Sequence, residues 1–450
     1  MIIDMKNKKV LVVGLGRTGF MTARFLVERG ARVTVTDKRA GADIEGLASL
    51  EEKGVSIECG GHRSGTFLGA DLIVVSPGVP YGLPLLAEAR QGGVETMSEI
   101  ELASRFIDCP IVAVTGTNGK TTTTTLIGEL FAAAGREVFV GGNIGVPLVE
   151  YLFTDQRAET IILEVSSFQL EGIGTFRPHV AILLNITDDH LDRYASMEEY
   201  RKAKFRVFEN QQRSDLAIVN GEDELIASGI EAVKSRTRTI SFSRTGQGGD
   251  EIFLRGNDIV YAGDQGEELY PTDRLKLRGS HNLENIMAAI GAARYCGIPQ
   301  KVVVQTVESF DGLPHRMEAV REIGGVQYYN DSKGTNVGAL MKSLEGLEGP
   351  VILIAGGRDK GGDYAPLRDA APEKLKLLIL LGEAREKIRS AVGPAAETVP
   401  ADSLEEAVRI ASARCAPGDT VLLSPACSSF DMFSGFEERG ERFKKLVNQL

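Results

Sequence analysis

The stretch that decides the fold is Ile111-Val112-Ala113-Val114-Thr115-Gly116-Thr117-Asn118-Gly119-Lys120-Thr121-Thr122. Ile111–Thr115 reads as a buried strand, Gly116–Lys120 as a polar glycine turn, and Thr121–Ala134 as a helix ended by Gly135. Backbone N–H groups, a lysine for the β- and γ-phosphates and a hydroxyl for Mg²⁺ then meet at one helix start. The pattern departs from G-x-x-x-x-G-K-[ST], because residue 114 is Val. A chance Gly-Lys-Thr in a loop is the alternative; the flanking strand and helix favour a nucleoside triphosphate.

Working outward, the N-terminal segment repeats the strand–turn–helix order. Lys9–Val13 is a strand, Gly14-Leu15-Gly16-Arg17-Thr18-Gly19 a G-x-G-x-x-G turn, and Phe20–Arg29 a helix stopped by Gly30. Arg32–Thr36 is the next strand and ends at Asp37, an acid suited to ribose hydroxyls or a base edge. Asp71–Val75 is another, closed by Ser76-Pro77-Gly78. Taken alone, the turn leaves three readings open: a dinucleotide, another diphosphate, or a structural turn.

Towards the C-terminus, strands recur at Thr160–Val165 and Val180–Asn185, and Arg244–Tyr270 reads as a small β excursion. A third unit follows Phe310–Pro314, with strands Val326–Asn330, Val351–Ala355, Leu377–Leu381 and Thr420–Ser424. Alternating strands and helices imply parallel sheets. The expected fold is α/β with three domains: an N-terminal Rossmann-like βαβ unit (1–98), a central P-loop-type ATPase domain (99–311) and a C-terminal Rossmann-like domain (312–450).

The 450 residues are 43% hydrophobic and 25% charged, an ordinary globular balance, and the net charge of −11 recruits neither nucleic acid nor anionic membrane. The five cysteines (Cys59, Cys109, Cys296, Cys415, Cys427) form no C-x-x-C pair, so reduced thiols are expected. No run approaches the roughly 20 apolar residues of a membrane span, and no signal-peptide pattern precedes the first strand. A cytoplasmic protein with small-molecule partners is expected.

Further polar groups stand at strand ends, where sheet-based sites form. Glu164 closes the apolar run Ile161-Ile162-Leu163, and a buried acid there suits a metal ligand. Asp188-Asp189-His190-Leu191-Asp192 follows the next strand, with a solvated loop histidine as the alternative. Asn282 and Asn285 lie one helical turn apart, where capping competes with ligand binding. His315-Arg316 and Asp331-Ser332-Lys333-Gly334-Thr335 add polar groups in the third unit. Lys204, in the basic stretch Tyr200–Phe205, reads from its surroundings as a solvated surface lysine.

In this order, Gly116–Thr121, Glu164-Val165-Ser166-Ser167, Asn185–His190, His281-Asn282, His315-Arg316 and Asp331-Ser332-Lys333 resemble the Mur ligase family over nearly the whole chain. The missing first P-loop glycine is normal in that family. Gly14–Gly19 with Asp37-Lys38-Arg39, the Asn143 loop Gly141–Gly145, and Leu423–Asp431 resemble its D-glutamate-adding branch; the Asp-Asn-Pro-Arg motif of the diaminopimelate-adding relatives is absent. Lys38 stands where some members have Thr, and Phe430 where some have Leu.

The resemblance implies an ATP-dependent amide ligase acting on UDP-N-acetylmuramoyl-L-alanine and D-glutamate; a monomer is expected. It implies that the first glycine turn holds UDP, lined by Gly16, Arg17, Thr18, Asp37, Lys38, Arg39 and Gly78, with Asn143 and His190 along the muramoyl arm. Gly116, Thr117, Asn118, Gly119, Lys120, Thr121, Thr122, Asn282, Asn285, Arg316, Asp331 and Lys333 would face ATP. Thr335, Lys360, Ser429, Phe430 and Phe436 would face D-glutamate. Of two Mg²⁺ ions, Thr121 and Glu164 would hold one, and His190 with a carbamylated Lys204 the second; Lys120, His190, Lys204 and Lys333 are the implied catalytic set. Lys360 also has its own rationale, since a dicarboxylate acceptor needs a cation; a solvated loop lysine is the alternative. Two other readings stay open: a folylpolyglutamate-synthase-like ligase, against which the N-terminal unit argues, and a nicotinamide oxidoreductase, which has no use for the second phosphate loop.

Overall fold

A computed structural model describes all residues except 1–3, 45, 155–156, 190–192, 247–248, 264–265, 278 and 348. The fold is three α/β domains, each built on its own sheet. Residue contacts divide the chain into two compact units: residues 1–186, 198–272 and 285–307 form one, and residues 187–197, 273–284 and 308–450 the other.

The first unit holds two sheets. In the N-terminal sheet, β1 (Lys9–Val13), β2 (Arg32–Asp37), β3 (Ser56–Cys59), β4 (Leu72–Val75) and β5 (Glu95–Ser98) run parallel in the order β3-β2-β1-β4-β5. The order reverses between β1 and β4, and such a switch point opens a crevice at the strand C-termini. The glycine turn after β1 and the Ser76–Gly78 turn after β4 stand on its two sides. Ser76 Oγ donates to Gly14 O at 2.8 Å across it. The helix after the turn is Arg17–Glu28, three residues earlier than the sequence suggests. Gly19 lies inside that first turn because any Cβ there would run into the Gly14 carbonyl.

The central sheet comprises β6 (Ile111–Thr115), β7 (Val138–Gly142), β8 (Thr160–Glu164), β9 (Val180–Leu183), β10 (Leu216–Asn220), β11 (Arg238–Ser243), β12 (Ile252–Arg255), β13 (Asp258–Gly263) and β14 (Gly266–Pro271). Their order is β14-β13-β12-β11-β10-β9-β6-β8-β7. The expected β excursion is therefore an extension of this sheet, joined through parallel β11–β12 pairing and then turning antiparallel. β6 lies between β8 and β9, with Val114 opposite Glu164 and Thr115 opposite Leu183, so the phosphate turn, Glu164 and Asn185 leave the sheet side by side. β6, β8 and β9 are buried along their whole length, as a sheet covered on both faces requires.

Within the first unit the two sheets are pinned together. Glu101 accepts hydrogen bonds from the Gly174, Thr175 and Phe176 N–H groups at 2.8–3.0 Å. Ser98 N donates to Gly172 O at 2.9 Å, and Arg17 makes a bidentate pair with Glu150 at 2.7 and 3.0 Å.

The second unit carries the third sheet: β15 (Glu318–Ile323), β16 (Val326–Asn330), β17 (Val351–Gly356), β18 (Leu375–Leu381), β19 (Thr398–Pro400) and β20 (Thr420–Leu423), in the order β15-β16-β20-β17-β18-β19. Only β15–β16 is antiparallel. Apolar cores lie on both faces, one around Leu353, Leu367, Leu380 and Ile388, the other around Ile354, Ile379, Leu404 and Phe443. Asp331 and Ser424 follow the adjacent strands β16 and β20 and so meet at the C-terminal edge.

Candidate active site

The phosphate loop is held open by its neighbours. Gly119 has φ +84°, and a Cβ there would collide with Asn285 Oδ1. Asn118 N donates to Asn185 Oδ1 at 2.8 Å, and Asn185 Nδ2 returns a bond to Asn118 O at 3.2 Å. Lys120 opens the helix Lys120–Ala133, and its Nζ donates to the carbonyls of Gly116 (2.9 Å) and Thr117 (2.7 Å). That places an ammonium directly over the loop, where phosphate charge would sit. Thr123 Oγ1 donates to Asn285 Oδ1 at 3.3 Å. The helix carrying Asn285 starts at Ser280, so neither Asn282 nor Asn285 is its cap.

Glu164 is the pivot of the site. It is 2% exposed; its Oε2 accepts from Thr121 Oγ1 at 2.7 Å and its Oε1 from Asn143 Nδ2 at 2.8 Å. A serine-type hydroxyl and a carboxylate side by side are hard oxygen donors of the kind Mg²⁺ takes. The loop glycines and Lys120 suit a triphosphate, so the residues present fit a magnesium nucleotide. Among the described residues no three His, Cys, Asp or Glu side chains cluster as a protein cage. Mg²⁺ sites of this type complete their shell with substrate oxygens and water. His190 lies outside the described residues.

Lys204 overturns the surface reading of its helix. It is 2% exposed, donates to Gly116 O at 2.8 Å, and its Nζ stands 4.5 Å from the centre of the Tyr200 ring. The Tyr200 hydroxyl is 3.2 Å from Thr117 Oγ1. Both side chains of the Met197–Phe205 helix therefore reach the phosphate loop.

The N-terminal crevice is a cavity of about 570 Å³. Gly16, Arg17, Thr18, Asp37, Lys38, Arg39, Gly78 and Asn143 all line it. His62, Ser76, Leu83 and Gln169 also line it, and the sequence had not singled them out as ligand groups. Gln169 is set by a capping box with Ser166, a pattern legible in Ser166-Ser167-Phe168-Gln169.

Asp37 does not offer a free carboxylate to a ribose. Its Oδ2 accepts from Leu15 N (2.7 Å) and Arg39 (2.8 Å), and its Oδ1 from Arg39 N (2.9 Å) and Nε (3.0 Å). The Arg39 guanidinium outweighs burial and, with the Arg39 and Leu15 amides, holds this carboxyl well below the usual range. Asp37 thereby pins the glycine turn to Arg39. Asn143 lies in this cavity and touches Glu164, so one side chain joins the crevice to the phosphate loop.

In the second unit, Thr335 and Lys360 line a cavity of about 420 Å³ together with Asp188, Asp189 and Asp359. Ser429, Phe430 and Phe436 are not on its wall. Ser429 is buried, Phe430 is 63% exposed, and Phe436 packs its ring 4.8 Å from Lys333 Nζ and 6.1 Å from the His315 ring. Lys333 N also donates to His315 O at 3.1 Å, which ties the His315-Arg316 turn to the Asp331–Lys333 segment.

Asp331 faces inward. Its Oδ2 accepts from Ser343 (2.8 Å) and Ser424 (2.7 Å). Burial pushes its carboxyl up to about 6 against the opposing pull of those hydroxyls and of Arg316. A direct contact with nucleotide would have to share this carboxylate with the two serines.

Comparison with known proteins agrees with this geometry. Three family models match in order: "Mur ligase MurD-like, N-terminal domain" over residues 8–98, "Mur ligase middle domain" over 114–293 and "Mur ligase, glutamate ligase domain" over 315–427. The chain is 51% identical over 449 residues to the UDP-N-acetylmuramoylalanine–D-glutamate ligase of Geotalea uraniireducens (strain Rf4), covering 100% of this chain and 99% of that one. It is 49% identical to the enzyme of the same name from Geobacter metallireducens, with the same coverage. Among solved structures it resembles a pseudomurein peptide ligase type C from Methanothermus fervidus (TM-score 0.63, 19% identity, 98% of this chain and 100% of that one). It also resembles the Thermotoga maritima MurF ligase in complex with ADP (TM-score 0.62, 17% identity, 99% and 97%). At these identities the structural likeness speaks for the fold alone. On the full-length identity and the three successive domain matches, this chain belongs to the Mur ligase family.

Proposed function

We propose that the protein is the ATP-dependent ligase that joins D-glutamate to UDP-N-acetylmuramoyl-L-alanine, a cytoplasmic step in making peptidoglycan precursors. One observation carries the reading: Asn143 lines the N-terminal crevice and donates to Glu164, which in turn accepts from Thr121 of the phosphate loop. A substrate whose diphosphate lies at the glycine turn can extend along that line and bring its far carboxylate to the γ-phosphate of ATP. Residues 1–98 would hold the UDP end, 99–311 the ATP, and 312–450 the acceptor.

The chemistry follows from what an amide requires. A carboxylate is a poor electrophile, so its oxygen first takes the γ-phosphoryl group of ATP and ADP leaves. The D-glutamate amine attacks the acyl phosphate, and the tetrahedral intermediate expels phosphate as the amine loses its proton. Lys120, over the loop, offsets charge on the transferring phosphoryl group, and by resemblance Lys333 would add to it. Thr121 and Glu164 would hold Mg²⁺, which supplies further positive charge to the phosphates. By resemblance, His190 and a carbamylated Lys204 would hold a second ion.

Phosphate release tests the proposal. With ATP, UDP-N-acetylmuramoyl-L-alanine and D-glutamate all present, release should be sustained; omitting the UDP substrate or D-glutamate should reduce it to background. Undiminished release without the UDP substrate would reject the reading.

A further inference from the structure

Lys360 and Asp359 are neighbours in sequence and line the same cavity, yet they do not pair with each other. Asp359 turns to Lys387, whose Nζ donates to Asp359 Oδ2 at 2.6 Å. Its other oxygen, Oδ1, accepts from Tyr364 OH at 2.9 Å and from Gly362 N at 3.2 Å. Among the described residues Lys360 has no carboxylate within ion-pair distance. The turn that presents Lys360 is thus held by Asp359, and Asp359 is neutralised from outside the cavity.

The same group reaches one step further. Tyr364 OH is 3.1 Å from Cys427 Sγ, and a phenol has one proton to give. The carboxylate is the stronger acceptor, so the phenol donates to Asp359 and the thiol donates to the phenol oxygen. Burial pushes the Cys427 thiol up to about 11, which keeps that proton in place at neutral pH. Arg358 N donates to Ser428 O at 2.9 Å, and Ser428 N and Oγ both donate to Arg358 O at 3.1 Å, so the 358–363 and 427–429 segments are tied firmly.

The cavity is otherwise acidic: among the described residues, Asp188, Asp189, Asp359 and Asp363 line it with Lys360 as the one cation. An acceptor bearing two carboxylates gains from Lys360 only if no neighbouring carboxylate claims that ammonium first. We infer that Lys387 is a specificity-determining residue for a dicarboxylate acceptor, acting by neutralising Asp359 so that Lys360 stays available to the acceptor's side-chain carboxylate. This rests on the proposed acceptor site at Lys360.

Lys387 is about half exposed, so its replacement leaves the core intact. The test compares D-glutamate with its neutral isostere D-glutamine as acceptors for the full-length enzyme. Lys387→Met should raise the KM for D-glutamate about five- to ten-fold, the scale of one typical net hydrogen bond. It should leave kcat and the KM for ATP near wild type and lower the D-glutamate:D-glutamine ratio of kcat/KM by a similar factor. Lys387→Arg should restore that ratio. Adding Asp359→Asn to Lys387→Met should also restore it, because the competing carboxylate is gone. A Lys387→Met enzyme with unchanged selectivity, or one equally impaired with both acceptors, would overturn the inference. Lys360→Ala is the control on the underlying reading: if it abolishes selectivity while Lys387→Met does not, only the role of Lys387 fails. If Lys360→Ala leaves selectivity intact, the acceptor site itself is elsewhere and the inference falls with it.

Discussion

The Lys204 ammonium donates a 2.8 Å hydrogen bond to the carbonyl of Gly116, the first residue of the phosphate turn, 88 positions earlier in the chain. A buried lysine on that backbone is either a brace or, once carbamylated, an anionic oxygen ligand. The two roles predict different rescues. Lys204→Ala should lose most activity while keeping its fold, and formate or acetate should partly restore turnover by occupying the vacated anionic position. Lys202→Ala should be nearly neutral, since that side chain is 71% exposed. Failure of every short carboxylate to restore activity would leave Lys204 as a brace only.

Glu164 bonds Thr121 on one oxygen and Asn143 on the other. Glu164→Gln keeps the volume but removes the negative charge that suits Mg²⁺. Steady-state assays should show kcat lower by on the order of 100-fold, with the KM for the UDP substrate nearly unchanged. A rise in that KM alone would move Glu164 from the phosphate chemistry to substrate binding.

The saturated carboxylate of Asp37 bears on the oldest ambiguity of the glycine turn. Calorimetry on the full chain should show binding of UDP-N-acetylmuramoyl-L-alanine and none of NADH. The isolated residues 1–98 are a poor substitute, because Asn143 and Gln169 form part of the cavity wall. Tight NADH binding would reinstate the oxidoreductase reading.

Glu99 supplies a pH test of the junction between the first two sheets. It is 1% exposed, and burial pushes its carboxyl up to about 7, against the pull of the Val149 N–H at 2.6 Å. A carboxyl whose folded value exceeds its unfolded value, about 4.3, binds its proton more tightly in the folded state. Stability should therefore fall as pH rises from about 4.3 to about 7 and change little from this group above that. Glu99→Gln removes the titration. Its stability relative to wild type in thermal melting should rise across that window, by up to roughly 4 kcal/mol at pH 8. A difference independent of pH would show that Glu99 does not titrate there.

What the sequence revealed, and what it concealed, divides along local and non-local lines. The phosphate loop was legible because strand, glycine turn and helix are consecutive, and eight residues assigned to the UDP site do meet in one cavity. Lys204 was hidden because its burial depends on a loop 88 residues away. The hydrogen bonds that Asp37 accepts from Leu15 N and Arg39 were likewise hidden, because they depend on how the turn after β1 folds against the end of β2. Edge strands such as Ser56–Cys59 and Glu318–Ile323 carry polar, half-exposed residues and so lack the apolar run that marked their buried neighbours. Leu216–Asn220 carries that run, and its place beside β9 is set by pairing that the sequence does not display.

The acceptor's identity is the most direct measure of the account. Phosphate release from ATP with UDP-N-acetylmuramoyl-L-alanine should be stimulated strongly by D-glutamate and hardly at all by L-glutamate or meso-diaminopimelate. Equal stimulation by L-glutamate, or a preference for meso-diaminopimelate, would contradict it.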